Sequence, residues 1–151
     1  ELKYLHQMEI RILATKDIKQ LVSLSLIHDE FNVCNENDWW SEEELIQWIN
    51  SPEDLCIGVF ENDIMVGYLL SHFKVQLSKV FLENIFIEKN KRRKGYAKLL
   101  IHHTLEFYNS KYMNKKSLRF VALVKENNSA ILNLITNLGF KVGEKVIWIQ
   151  K

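Results

Sequence analysis

Four consecutive cations, Lys91, Arg92, Arg93 and Lys94, stand directly before Gly95 and an amphipathic run, in the stretch NKRRKGYAKLL from Asn90 to Leu100. Their mutual repulsion calls for a compensating anion. A helix starting at Gly95 would present unpaired N–H groups and partial positive charge, a ready site for phosphate. Gly95 removes the side chain that would hold a phosphate off the backbone, and Ala97 keeps the first turn thin. Three or four N–H bonds to charged oxygens, each contributing roughly 1.5–3 kcal/mol, can hold a pyrophosphate. A solvated basic loop before a helix is the plainer alternative. Other phosphate patterns are absent: among five glycines there is neither G-x-G-x-x-G nor G-x-x-x-x-G-K-S/T. A second group is acidic and aromatic, with Asp29, Glu30, Glu36, Asp38 and Glu42 to Glu44 around Trp39 and Trp40. Carboxylates beside indole faces suit a cation. Acidic residues at a helix start equally favour its dipole.

The elements that must position these groups read as β-α-α-β-β-β-α-β-α-β. Met8 to Leu13 alternates as a strand, and Thr15 can cap a helix from about Lys16 to His28. Asp29 to Trp40 reads as a loop. Ser41 to Glu44 is a capping box opening a helix with Leu45, Trp48 and Ile49 inward, ended by Ser51-Pro52. On that spacing Trp48 belongs to the core. Leu55 to Phe60 and Ile64 to about Phe73 are strands joined by the turn at Glu61 to Asp63. Lys79 to Ile87 is apolar on both faces and expected to be central. Ala97, Leu100, Ile101, Thr104, Leu105 and Tyr108 recur at helical spacing. Ser117 to Val124 is a strand, Ser129 to Leu138 a helix stopped by Gly139, and Phe140 to Gln150 one or two closing strands. The second half thus contains a βαβ unit, and such sheets bind ligands beyond strand C-termini.

The length of 151 residues suits one domain, read here as 1–151. A net charge of +1 with no aromatic platform argues against nucleic acid as partner. Cys34 and Cys56 are too few for a disulfide framework or a zinc site, so no metal is expected and the thiols suit a reducing cytoplasm. No apolar stretch nears the ~20 residues of a membrane span, and no secretory pattern opens the chain. Glu1 in place of an initiator Met reads as a trimmed or processed start.

Arg92 to Ala97, RRKGYA, matches Arg or Gln, two residues, Gly, one residue, then Gly or Ala, which is the signature of the GNAT superfamily of acetyl-CoA-dependent N-acetyltransferases. It follows an apolar strand end, Ile87, by five residues. Asn128 to Phe140, NSAILNLITNLGF, resembles that family's Asn-led helix closing in LGF, and IGVFENDIMVGYLLSH resembles its hairpin. The resemblance spans nearly the whole chain in order. It implies an α/β (α+β) fold with a mixed, mostly antiparallel central sheet flanked by helices on both faces. It implies acetyl-CoA as cofactor: Ile85, Phe86 and Ile87 pairing with the pantetheine arm, the amides of Arg92, Arg93, Lys94, Gly95, Tyr96 and Ala97 holding the pyrophosphate, and Asn128 in contact. Asn128 is also an ordinary helix cap.

The implied reaction is attack of a neutral amine on a thioester, which needs a base, oxyanion donors and an acid for the departing thiolate. Backbone N–H groups at the end of Lys79–Ile87 can serve the oxyanion. The family's usual Tyr acid is Ile135 here, and the usual Glu base of the N-terminal-amine branch is Leu123. Glu83, in FLENIFI, is the preferred base: it reads as sharing a face with Phe81, Ile85 and Ile87, and burial there would suit a proton acceptor. An edge-facing structural carboxylate is its alternative reading. His72, at the end of the preceding strand, joins it if the two strands pair, and is otherwise a surface histidine. Tyr68, Tyr96 and Tyr108 each qualify as the acid. The family shapes its acceptor site in the region of Asp38, Trp39 and Trp40, which would fit a polyamine, an aminoglycoside or a basic peptide. A binding module of the same fold that holds acyl-CoA but transfers little is the alternative function. A homodimer is compatible with the sequence, which fixes no oligomeric state.

Overall fold

The computed structural model describes residues 8–26, 40–113 and 118–144. The apolar, β-branched runs of the chain form one sheet of five strands lying side by side in chain order: β1 (Met8–Ile12), β2 (Leu55–Glu61), β3 (Ile64–Lys74), β4 (Lys79–Ile87) and β5 (Arg119–Ala122). All neighbours pair antiparallel except β4 and β5, which are parallel and need a crossover. β2 and β3 meet in a tight turn in which Asn62 and Asp63 both take positive φ, 51° and 64°, a conformation these two residue types tolerate well. β3, not β4, is the central strand. β4 is paired on both edges only from Lys79 to Leu82.

Helices α1 (Ile18–Leu26) and α2 (Glu42–Ile49) cover one face, α3 (Tyr96–Lys111) and α4 (Ser129–Asn137) the other. Ser41 caps α2 as expected: its hydroxyl accepts from Glu44 N–H at 3.2 Å, while Ser41 N–H donates to the Glu44 carboxylate at 2.7 Å. Thr15 does not cap α1. A 3₁₀ turn, Thr15–Asp17, precedes that helix, and the buried Asp17 carboxylate accepts from Ala14 N–H at 2.9 Å and from both terminal nitrogens of Arg11. Leu100, Ile101, Thr104 and Tyr108 of α3 are buried, as their spacing foretells. Gly139 (φ 91°) ends α4, where Phe140 N–H reaches back to the Ile135 carbonyl at 3.0 Å. β5 is shorter than expected. Residues 141–144 carry no strand, and the expected strand beyond them lies outside the described residues.

Two buried polar clusters tie the sheet to the elements around it. At one end of β2, Ser71 donates to the Leu55 carbonyl at 2.6 Å, so the Tyr108 hydroxyl must donate to Ser71 Oγ, 2.9 Å away, while it accepts Leu55 N–H at 2.9 Å. That closed ring joins α3 to β2 and β3. At the other end, the carboxylate of Glu61, 8 % exposed, accepts from Lys91, from Lys94 at 3.1 Å and from Tyr96 at 2.5 Å. These bonds, Lys91 first and Tyr96 next, hold the Glu61 carboxyl down at about 2 against a usual 4.5.

Two outcomes follow from these clusters. Tyr108→Phe leaves the buried Leu55 N–H unpaired and removes the donor to Ser71 Oγ, and is expected to cost about 1–3 kcal/mol in urea denaturation; a loss below roughly 0.5 kcal/mol would show the ring to be idle. A carboxyl depressed on folding stabilises above its unfolded value and loses that contribution as pH falls through its folded value. Glu61→Gln should therefore be about 1–2 kcal/mol less stable at neutral pH, an amount reduced by the solvent that reaches Lys94. The gap should close between about pH 4.5 and pH 2. A gap that stays constant across that range would exclude Glu61 as its source.

Candidate active site

The site begins where β4 leaves β5. Leu82 is the last β4 residue paired with β5, and on the β3 side the register shifts between Leu70, opposite Asn84, and Ser71, opposite Leu82. Glu83 is therefore an extra residue, a β-bulge. The bulge reverses the alternation beyond it. Val80 and Leu82 face α3 before the bulge and Ile85 and Ile87 face α3 after it, while Phe86 is buried on the α1–α2 side. Glu83 thus does not share a face with Ile85 and Ile87, and it is exposed rather than buried. The burial that its apolar neighbours promise is undone by the bulge.

From Leu82 onward the β5-facing edge of β4 is open. Strand alternation gives the backbone groups of Ile85 and Ile87 to that edge, where the Ile87 carbonyl accepts from Arg92 Nε at 2.9 Å. Phe86 turns its backbone to β3 and its ring to the core, so it does not join the other two in the cleft. A cleft of about 310 Å3 runs from Ile85 and Ile87 to the N-terminus of α3, with Arg92, Arg93, Gly95, Tyr96 and Asn128 along its walls. Arg93 (φ 67°) and Gly95 (φ 83°) alternate with Lys94 in left-handed conformations, an arrangement that gathers N–H groups into an anion nest. A Cβ on Gly95 would meet no atom within 4 Å, so the space over the helix start is free for a ligand. Not all four cations serve that space. Lys91 and Lys94 are drawn to Glu61, and Arg92 braces Ile87.

A smaller cavity of about 90 Å3 continues the cleft between the parted strands. Ile85, Asn128 and Ile131 line both; Glu83, Leu123 and Ile135 line the smaller one. Asn128 does cap α4, accepting from Ile131 N–H at 3.3 Å, while it also lines the cleft. On the far side of Glu83 lies a third, open pocket of about 450 Å3 lined by Trp40, Glu44, Trp48, Asp54, His72 and Glu83. Glu83 is the residue common to the 90 Å3 cavity and this pocket. Asp38 and Trp39 lie outside the described residues. Trp48 is more than core: its indole N–H donates to the Ser71 carbonyl at 2.9 Å and its ring meets Trp40 at 5.0 Å and His72 at 6.2 Å.

The three tyrosines named as acids are committed elsewhere. Tyr108 belongs to the buried ring with Ser71, and Tyr68 is fully buried on the α1–α2 side. The Tyr96 hydroxyl donates to Glu61, which pushes its own ionisation up to about 12. Two carboxylates escaped the sequence reading. Glu61 sits in what reads only as a turn. Asp54, with its side chain 5 % exposed, accepts from Phe73 N–H at 2.8 Å and pairs with His72 Nδ1 at 2.9 Å. Folding the hairpin about Asn62 and Asp63 brings Asp54 opposite Ser71, and the bulge between β2 and β3 shifts that partner to His72.

Solved structures share this architecture. The chain matches a PaiA N-acetyltransferase from Thermoplasma acidophilum in complex with coenzyme A, with a TM-score of 0.78, 18 % identity and 93 % of each chain covered. It matches an aminoglycoside acetyltransferase from an uncultured soil metagenomic sample, in complex with sisomicin, with a TM-score of 0.73, 19 % identity and 95 % of each chain covered. A third match is the ribosomal-protein-S18-alanine N-acetyltransferase from Escherichia coli, with a TM-score of 0.70 and 17 % identity over 91 % of this chain and 80 % of the other. At such identities these likenesses carry the fold alone. No curated protein sequence matches the chain significantly. Residues 24–140 match the sequence model of the Acetyltransferase (GNAT) family, and with the parted strands and the anion nest in place the chain belongs to that family, which uses acetyl-CoA as its acetyl donor.

Proposed function

We propose that the chain acetylates a primary amine, carried by a cationic small molecule or by a peptide or protein, in the pocket between Trp40, Trp48 and Glu83. The observation that carries this reading is the position of Glu83, the one residue common to the small cavity between β4 and β5 and the open aromatic pocket. When bound, acetyl-CoA supplies an acetyl group activated as a thioester. The N–H groups at Arg93 to Ala97 and the α3 dipole would hold its pyrophosphate, and Ile85 and Ile87 would take its pantetheine arm along the open edge. In the acceptor pocket, Trp40 and Trp48 offer π faces and Glu44 and Glu83 negative charge, a combination that attracts an ammonium group. Glu83 accepts the proton that the amine must lose, directly or through one water. Ile135, at the position where the family it resembles carries a tyrosine, lines the small cavity and offers no proton there for the sulfur of a bound thioester. A thiolate would need little help to leave, since a free thiol ionises only about 1–2 units above neutrality. A cytoplasmic setting suits the buried, unpaired Cys56. No helix among the described residues is long and apolar enough to cross a membrane.

Two experiments test the donor and acceptor halves separately. Gly95→Ala forces a side chain into positive φ, at about 1 kcal/mol of stability, and fills the space over the helix start. Calorimetry should show acetyl-CoA binding at least about tenfold weaker, about 1.4 kcal/mol; equal affinity would move the pyrophosphate elsewhere. Coenzyme A release across a panel of polyamines, aminoglycosides and basic peptides should reveal an acceptor. With that acceptor, Glu83→Gln should lower kcat by about 10²–10⁴ while leaving acetyl-CoA affinity unchanged. Full turnover by the variant would remove Glu83 as the base.

A further inference from the structure

The Asp54–His72 pair lies in the acceptor pocket and is built as a unit. Asp54 has both oxygens engaged: Oδ1 accepts the backbone N–H of Phe73 at 2.8 Å, and Oδ2 faces His72 Nδ1 at 2.9 Å. A carboxylate can only accept, so a neutral His72 must carry its proton on Nδ1. Nε2 is then a lone-pair acceptor, without a protein partner among the described residues, on a side chain that is 34 % exposed and lines the pocket. The scaffold around the pair is rigid. Leu55, next to Asp54, and Ser71, next to His72, both belong to the ring closed by Tyr108, and Trp48 fixes the Ser71 carbonyl while its ring stands edge-on to the imidazole. His72 pairs with Phe81 across the strands, and Glu83, two residues further along β4 at the bulge, lines the same open pocket as His72.

We propose that Asp54 is a positioning residue that fixes the His72 tautomer, so that His72 Nε2 is the final acceptor of the proton released by the substrate amine. This rests on the reading of the pocket as the acceptor site. As the amine nitrogen bonds to the acyl carbon and the carbon–sulfur bond breaks with its electron pair on sulfur, one nitrogen-bound proton must leave. Glu83 receives it or relays it through water to Nε2. The Nδ1 proton stays in place, and the Asp54 carboxylate compensates the imidazolium charge. Glu83 is thereby reset as a base before the next acceptor enters.

Asp54→Asn is the informative substitution because it keeps shape while removing the charge and turning one acceptor oxygen into a donor. The single oxygen of the Asn side chain must still accept Phe73 N–H, which turns the amide NH2 toward His72 Nδ1 and forces the imidazole proton onto Nε2. Ring-nitrogen NMR of 15N-histidine-labelled protein, in mildly alkaline buffer and without ligands, should show an Nδ1–H tautomer in the wild type and Nε2–H in the variant. A wild-type His72 protonated at Nε2 overturns the proposal, even if the variant fails to fold. With the acceptor found in the amine panel, Asp54→Asn should lower kcat roughly ten- to a hundredfold at unchanged KM for acetyl-CoA. In the His72→Gln background it should cause no further loss. An independent loss in that background, or an unaltered kcat, overturns the relay. If instead no amine in the panel is acetylated by the wild type, the acceptor reading and the relay that rests on it both fall, while the tautomer assignment is judged by NMR alone.

Discussion

The architecture of the site depends on one supernumerary residue in β4. Glu83 breaks the register with β3, and β5 runs alongside β4 no further than Leu82. An interior strand with an unpaired edge is costly, because each buried N–H or C=O needs a partner. Here part of that demand is met by Arg92, whose side chain bonds the Ile87 carbonyl. The rest of the edge lines a cleft that ends at a helix N-terminus. The same bulge decides which side chains face which way. Ile85 and Ile87 pack toward α3, Phe86 goes to the opposite core, and Glu83 is left at the boundary of two cavities.

β2 supplies the framework for both halves of the site. It is buried along its whole length and has an acid at each end. Glu61, its last residue, gathers Lys91, Lys94 and Tyr96; Asp54, just before its first, gathers His72 and the backbone of Phe73. Buried carboxylates are tolerated only when their lone pairs are used, and both of these use each oxygen. One therefore shapes the basic loop before α3, and the other orients the histidine in the open aromatic pocket.

The local features were legible in the sequence. The cationic loop, the helix after it with Leu100, Ile101 and Tyr108 inward, the capping box at Ser41 and the turn at Asn62–Asp63 all follow from spacing and residue type over a few positions. The features that needed a partner strand were not. Nothing in FLENIFI shows that Glu83 is looped out, because a bulge is defined by the register of β3. The burial expected of Glu83 failed for that reason, and so did its assignment to the face of Ile85 and Ile87. Glu61 reads only as part of a turn and Asp54 gives no signal of its own, since the groups they bind lie 30 and 18 positions away. Thr15 lost its expected cap to Asp17 because Arg11, six residues earlier, offered the aspartate a better arrangement. Helical spacing places Trp48 in the core, and spacing cannot show that one edge of a packed ring also forms a pocket wall.

The grip of Glu61 on the basic loop has a consequence for association. Free lysines on a mobile segment would have to be marshalled when a ligand arrives, and each would forfeit rotameric freedom at that moment. Lys91 and Lys94 have already forfeited theirs on folding, to a carboxylate anchored in the sheet. The nest at Arg93 and Gly95 is therefore preorganised, and a molecule seated there would lose mainly its own entropy.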